Sequence, residues 1–267
     1  MNTLSNEVKI KGIGIHSGQE VEMLLCPSSQ NGIHFNFRNS TIPVNLSTVA
    51  TNHIRSTQLT SNGAVIQTPE HLLSACYALE LTNIDIYLSE SEVPILDGSS
   101  INFLEYLKPA VISLNKKSPN FVLTKDVHFE YNGSYYFASP ADHYLINAVI
   151  SYPAHWVKTM SFHYTHSYEN YKSHIAPART YGFTHEIEIL KKNNLAKGGS
   201  LDNALVIGDE DYVNHPRFND ELVRHKILDF IGDMAILNQP FLGAFTIIKP
   251  SHQGNIEFLK LLVNEFS

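Results

Sequence analysis

The stretch 221–237, ELVRHKILDFIGDMAIL, constrains what this chain can fold into more than any other. Read as a helix at about 100° per residue, it places His225, Asp229 and Asp233 within an arc of roughly 80°, with Ile227, Leu228, Ile231, Met234 and Ala235 on the opposite arc. A solvated helix face is ordinarily rich in Lys and Glu; this one holds an imidazole and two short carboxylates beside Gly232 and Ile236. Such a stripe is aimed at a specific partner. His225 and Asp229 lie one turn apart, a spacing at which two side chains can share a divalent ion. A lone His-x3-Asp is also common by chance, so capping or packing of His225 with solvated aspartates stays open until further ligands are found.

The chain has 267 residues, 43% of them hydrophobic, enough for one large domain or two of roughly 130 residues. A formal net charge of −7 without a Lys/Arg run excludes a broad electrostatic footprint for nucleic acid or an anionic membrane surface. The two cysteines, Cys26 and Cys76, form no C-x-x-C pair, and the N-terminus shows neither a signal-peptide core nor a membrane-length apolar run. A reduced, cytoplasmic protein without stable membrane insertion is expected.

Alternating apolar residues predict strands at 7–10, 21–25 and 33–38 in a largely antiparallel sheet. The glycines of 11–18, KGIGIHSG, suit a tight connection but lack the register of a dinucleotide-binding loop. Thr68 and Pro69 then read as N-cap and first position of a helix, with Glu70 and His71 in its first turn. There Glu70 could simply cap exposed amides, while the helix dipole favours a neutral His71, the form that binds metal. A strand at 84–88, a turn at 94–99 and a helix at 103–107 follow.

The polar segment 113–120, SLNKKSPN, reads as a linker, dividing the chain into an N-terminal α+β domain (1–112) and a C-terminal one (121–267). In the second half, strands are predicted at 121–123, 135–138, 144–150, 204–207 and 244–248, and helices at 184–192, 221–237 and to Leu262 at the end. Each half therefore presents strands, a helix with a polar cluster near its start, and a further strand, a symmetry of topology without sequence identity. If the halves pack helix to helix, the clusters meet.

That meeting supplies a third ligand. His71 with His225 and Asp229 makes a His2Asp set, which leaves a fourth position open as in catalytic rather than structural zinc sites. Glu70, beside a ligand but not needed as one, is a natural general base. Asp233 could pair with His252 on the loop after the 244–248 strand, keeping the imidazole cationic for oxyanion stabilisation and protonation of a leaving amine. Thr180, in 178–183, gains a role only if it faces the metal.

These residues resemble a known family, the UDP-3-O-acyl-N-acetylglucosamine deacetylases, zinc enzymes of lipid A biosynthesis in Gram-negative bacteria. The resemblance is carried in order by Gly12-Ile13-Gly14-Ile15-His16-Ser17-Gly18, Glu70-His71-Leu72, Pro94-Ile95-Leu96-Asp97-Gly98-Ser99, Ala178-Arg179-Thr180, 198–204 (GGSLDNA), His225-Lys226-Ile227-Leu228-Asp229 with Asp233, and His252-x-x-Asn255. It implies His71, His225 and Asp229 as Zn2+ ligands, Glu70 as base, His252 as acid oriented by Asp233, and Thr180 as a donor to the tetrahedral intermediate. Lys226, Tyr181 and His16 are implied at the substrate. The implied fold is α+β: two similar two-layer domains, each a mostly antiparallel sheet with helices, the helices packed between the two sheets. The implied reaction turns an acylated UDP-sugar into free amine and acetate, in a monomer. A zinc amidase for another N-acetylated sugar nucleotide and a non-catalytic paralogue are the alternatives. Departures from the family pattern fall at 152–160, which replaces a His-Pro-x-Ile-Gly-x-Gln run near the acyl-chain passage, at Tyr181 in place of phenylalanine, and at Ser56 where some members carry a cysteine.

Overall fold

Apolar alternation builds the first sheet. In the strand Glu20–Pro27, Val21, Met23 and Leu25 are buried while Glu20 and Glu22 face solvent, and Ile33, Phe35 and Phe37 likewise point inward from Gly32–Phe37. The computed structural model, which describes residues 1–50, 55–152 and 156–266, orders this sheet as Val8–Ile13, Glu20–Pro27, Asn83–Leu88, Gly32–Phe37, Ser40–Pro43. Neighbours are antiparallel except Asn83–Leu88 with Gly32–Phe37.

The second sheet repeats the plan as Val127–Tyr131, Ser134–Ser139, Phe241–Ile248, Tyr144–Tyr152, Lys158–Thr165, with Phe241–Ile248 parallel to Tyr144–Tyr152 and the other pairs along this path antiparallel. The short strand Phe121–Val122 joins Phe241–Ile248 in parallel. In each half the middle strand follows the helix bearing the polar cluster: Glu70–Ala78 precedes Asn83–Leu88, and Glu221–Met234 precedes Phe241–Ile248. The symmetry read from the sequence is thus one of strand order and direction.

One hydrophobic core joins the inner faces of both sheets through Leu72, Leu73 and Cys76 of the first helix and Leu222, Ile227, Leu228 and Ile231 of the second. Each such Leu or Ile, fully buried, contributes roughly 1.5–3 kcal/mol. The helices pack on each other, and Glu221–Met234 also lies on Tyr144–Tyr152 and Lys158–Thr165. The architecture is α+β, with helices between sheets. Their approach depends on Gly232, where a Cβ would stand 2.1 Å from the carbonyl oxygen of Glu70. Only a residue without a side chain lets the two polar clusters come together.

The central helix is anchored at its start by a buried ion pair. Glu221 Oε1 accepts from both the backbone N–H and Nε of Arg179 at 2.9 Å, and Oε2 accepts from Nη2 at 3.2 Å. This fixes the segment leading into Thr180 and the strand Tyr181–Phe183 against the helix. The energy of such a pair lies mainly in the cost of breaking it, because the remaining charge would be buried alone.

Several boundaries differ from those the sequence predicts. Thr68 is not an N-cap: its backbone is left-handed (φ 57°) and its hydroxyl donates to Glu92 at 3.3 Å, while Pro69 holds the cap position without a side-chain bond. His252 opens the helix His252–Phe266 instead of sitting on a loop, because the Ser251 hydroxyl accepts the Gly254 N–H at 3.2 Å and starts the helix early. The strand Val111–Ser113, paired with Asn2–Leu4, reaches one residue into the expected linker, and residues 114–120 form neither helix nor strand. Within the departing run 152–160, Pro153, Ala154 and His155 lie outside the described residues. Among the described residues no helix is long and apolar enough to cross a membrane.

Two outcomes are expected from this packing. Gly232→Ala should lose about 1–3 kcal/mol of unfolding free energy in urea, the usual cost of overpacking; a loss within 0.5 kcal/mol would show that the helices can separate freely. Glu221→Ala should lose about 3–5 kcal/mol by leaving Arg179 buried and unpaired, and an unchanged urea midpoint would contradict this.

Candidate metal centre and active site

The two helices bring together what the sequence separates by more than 150 positions. His71 comes from the first turn of Glu70–Ala78, and His225 and Asp229 come from consecutive turns of Glu221–Met234. All three are buried, and one ligand atom from each lies within 4.8 Å of the others. Asp229 Oδ1 is 3.2 Å from His225 Nε2 and 3.6 Å from His71 Nε2. The imidazoles meet edge to face with centroids 5.0 Å apart.

The donor set can be tested for fit to a metal ion. His225 Nδ1 faces the Ala178 carbonyl at 3.1 Å, so it carries the proton and leaves Nε2 a bare lone pair toward Asp229. Asp229 Oδ1 is buried without a hydrogen-bond partner. A divalent ion would satisfy both the buried acceptor and the imidazole lone pair facing it, so these residues fit one. Burial pushes the His225 pKa down to about 3, against the pull of Asp229. For Asp229, burial would raise the pKa, but His225, Lys226 and His252 together hold it well below the usual carboxylate range. A neutral imidazole and an ionised carboxylate are the forms that bind metal.

Beside this trio stands a hydrogen-bonded carboxylate–imidazole pair. His252 Nδ1 donates to Asp233 Oδ2 at 2.9 Å, and its Nε2 points to Glu70 Oε1 and Asp229 Oδ2, each 3.8 Å away. Burial opposes the imidazolium, but Asp233, Asp229 and Glu70 outweigh it and push the His252 pKa up to about 10. Burial lifts Glu70 to about 7, with His252 resisting the rise. Glu70 does not cap its helix: its Oε2 accepts the Thr57 N–H at 3.2 Å, and the side chain turns into the site.

The remaining predicted residues line one cleft of about 1000 Å³ with these groups. Thr180 is held there by its N–H to the Gly98 carbonyl (2.7 Å) and by the Leu205 N–H to its own carbonyl (2.8 Å). Lys226 donates to Asp229 Oδ2 at 2.9 Å and sits 5.4 Å over the Tyr181 ring, so much of its charge is directed to a metal-trio carboxylate. Tyr181 shares a 2.8 Å hydrogen bond with the Tyr152 hydroxyl, which satisfies the extra polar group on an otherwise apolar wall. His16 lies across the cleft, its Nδ1 accepting from the Ala196 N–H at 3.4 Å; burial lowers its pKa, against the pull of Glu92. Ser56 is buried beside Thr57.

Three contributing residues, Thr57, Glu92 and Glu221, carry no local sequence signal, whereas Asn255 belongs to the His252-x-x-Asn255 motif. Thr57 and Asn255 donate to Asp233 at 2.5 and 2.8 Å. Glu92 accepts the backbone N–H groups of His16 and Ser17, each at 2.8 Å, and so shapes the glycine-rich loop. Glu221 holds Arg179. Asn255 falls one turn beyond His252 on the helix that Ser251 starts. The others act across long sequence separations.

Comparison with known proteins identifies the family. Residues 1–264 match the LpxC family, described as UDP-3-O-acyl N-acetylglycosamine deacetylase. Among similar proteins are those named UDP-3-O-acyl-N-acetylglucosamine deacetylase from Thermodesulfovibrio yellowstonii (39% identical, covering 98% of this chain and 91% of the relative), Aliarcobacter butzleri (38%; 98% and 89%) and Neisseria gonorrhoeae (35%; 98% and 89%). On both the extent of the match and the length shared with these relatives, the chain belongs to the UDP-3-O-acyl N-acetylglycosamine deacetylase family.

Proposed function

We propose that this protein hydrolyses the acetamide of UDP-3-O-acyl-N-acetylglucosamine to UDP-3-O-acyl-glucosamine and acetate, in the cytoplasmic stage of lipid A biosynthesis. The observation that carries the reading is the partnerless, buried Asp229 Oδ1 facing two imidazoles, with Glu70 and the Asp233–His252 pair next to it, in a chain of this family. His71, His225 and Asp229 would hold Zn2+. When bound, the ion supplies Lewis acidity that polarises the acetamide carbonyl and steadies negative charge on its oxygen.

The chain's own groups move the protons. Glu70 takes a proton from the attacking water. His252, cationic and fixed by Asp233, faces the developing oxyanion and gives its Nε2 proton to the departing amine nitrogen. Thr180 donates a hydrogen bond to the tetrahedral intermediate. Lys226, Tyr181 and His16 contact the substrate in the cleft, and the Tyr152–Tyr181 hydroxyl pair marks the wall where acyl specificity is set. The protein acts as a monomer, with residues 1–112 and 121–267 as its two domains joined through 113–120.

The test is acetate release from the acylated substrate, with unacylated UDP-N-acetylglucosamine alongside. Turnover of the acylated compound, lost with a chelator and restored by zinc, is expected. Turnover of only the unacylated sugar, or of neither, would overturn the assignment. Glu70→Gln should keep its zinc and lose roughly 100-fold or more in kcat, while retention of wild-type activity would remove Glu70 from the mechanism.

A further inference from the structure

Asp233 is the hub of the proton-transfer pair, and its two oxygens are held differently. Oδ2 accepts from His252 Nδ1 and from Asn255 Nδ2, both on the helix His252–Phe266. Oδ1 accepts from the Thr57 hydroxyl at 2.5 Å, across 176 positions of sequence. Thr57 is fully buried, and its backbone is committed as well: its N–H donates to Glu70 Oε2, and its carbonyl accepts the Thr68 N–H at 3.1 Å.

One residue therefore holds both groups that handle protons. Its hydroxyl fixes the rotation of the Asp233 carboxylate, which sets the direction of the His252 imidazole. Its amide fixes one oxygen of Glu70 and leaves the other 3.8 Å from His252 Nε2. A hydrogen-bonded carboxylate behind a working imidazole acts through orientation, and loss of such an outer partner typically costs on the order of 10–100-fold in activity.

We propose that Thr57 is a positioning residue that sets base and acid in register, its hydroxyl on Asp233 and its amide on Glu70. The inference rests on the deacetylase reading above. It predicts a division between hydroxyl and shape: Thr57→Val keeps the volume and loses the donor, whereas Thr57→Ser keeps the donor.

The experiment compares zinc-loaded wild type, Thr57→Val and Thr57→Ser for kcat and KM on UDP-3-O-acyl-N-acetylglucosamine, for bound zinc, and for the downfield proton signal of His252 Nδ1–H. Thr57→Val should lose on the order of 10–100-fold in kcat, with KM changed by less than about two-fold and zinc retained; Thr57→Ser should recover most of the loss. The imidazole proton signal should persist in Thr57→Ser and be displaced or broadened in Thr57→Val. A Thr57→Val protein with wild-type kcat, or a Thr57→Ser protein as impaired as Thr57→Val, would overturn the proposal. An inert wild type would overturn the deacetylase reading instead, and the proton signal would then decide the role of Thr57 alone: an unchanged signal in Thr57→Val would refute it.

Discussion

The site depends on one close approach, that of Gly232 to the Glu70 carbonyl. Helix axes ordinarily stand 8–10 Å apart because side chains fill the space between them. At Gly232 the central helix has nothing to hold the start of the Glu70–Ala78 helix away, so residues from two halves of the chain reach hydrogen-bond and metal-ligand distances. The cost of this arrangement is the burial of four ionisable groups side by side: Glu70, Asp229, Asp233 and His252. Three carboxylates and one imidazole cannot all be charged in a low-dielectric pocket without partners. Their balance comes from the His252 imidazolium between the acids and from Lys226 on Asp229, and in the proposed function a divalent ion on His71, His225 and Asp229 would add to it.

Around that crossing, stiffness is layered outward. The Arg179–Glu221 pair ties the Thr180 segment to the first residue of the central helix, and Glu92 ties the His16 loop to Thr68, two residues before the Glu70 helix. These carboxylates touch no reacting atom in the proposed chemistry. They hold the walls of the cleft in place, so that substrate binding need not pay for ordering the loops.

The helix stripe of His225, Asp229 and Asp233 was legible because helical periodicity is local, and the pairing of His71 with it followed once both clusters were placed near helix starts. The repeated strand order was legible only as topology. What the sequence hid were contacts closed by tertiary structure: Thr57 on Asp233, Glu92 on a loop more than seventy residues away, and Glu221 on Arg179. A Thr-Pro pair before a helix resembles a cap, but here the buried Glu92 carboxylate takes the Thr68 hydroxyl. A histidine just after a strand reads as a loop residue, whereas the Ser251 hydroxyl starts the helix one residue before it.

In the proposed function, two polar clusters from separate halves of the chain form one metal site. X-ray data collected above and below the zinc absorption edge, on crystals of zinc-loaded protein, test it most directly. The expected result is a single strong anomalous peak within about 2.0–2.2 Å of His71 Nε2, His225 Nε2 and an Asp229 oxygen. A peak bound by residues of only one half, or no peak among these three side chains, would contradict it.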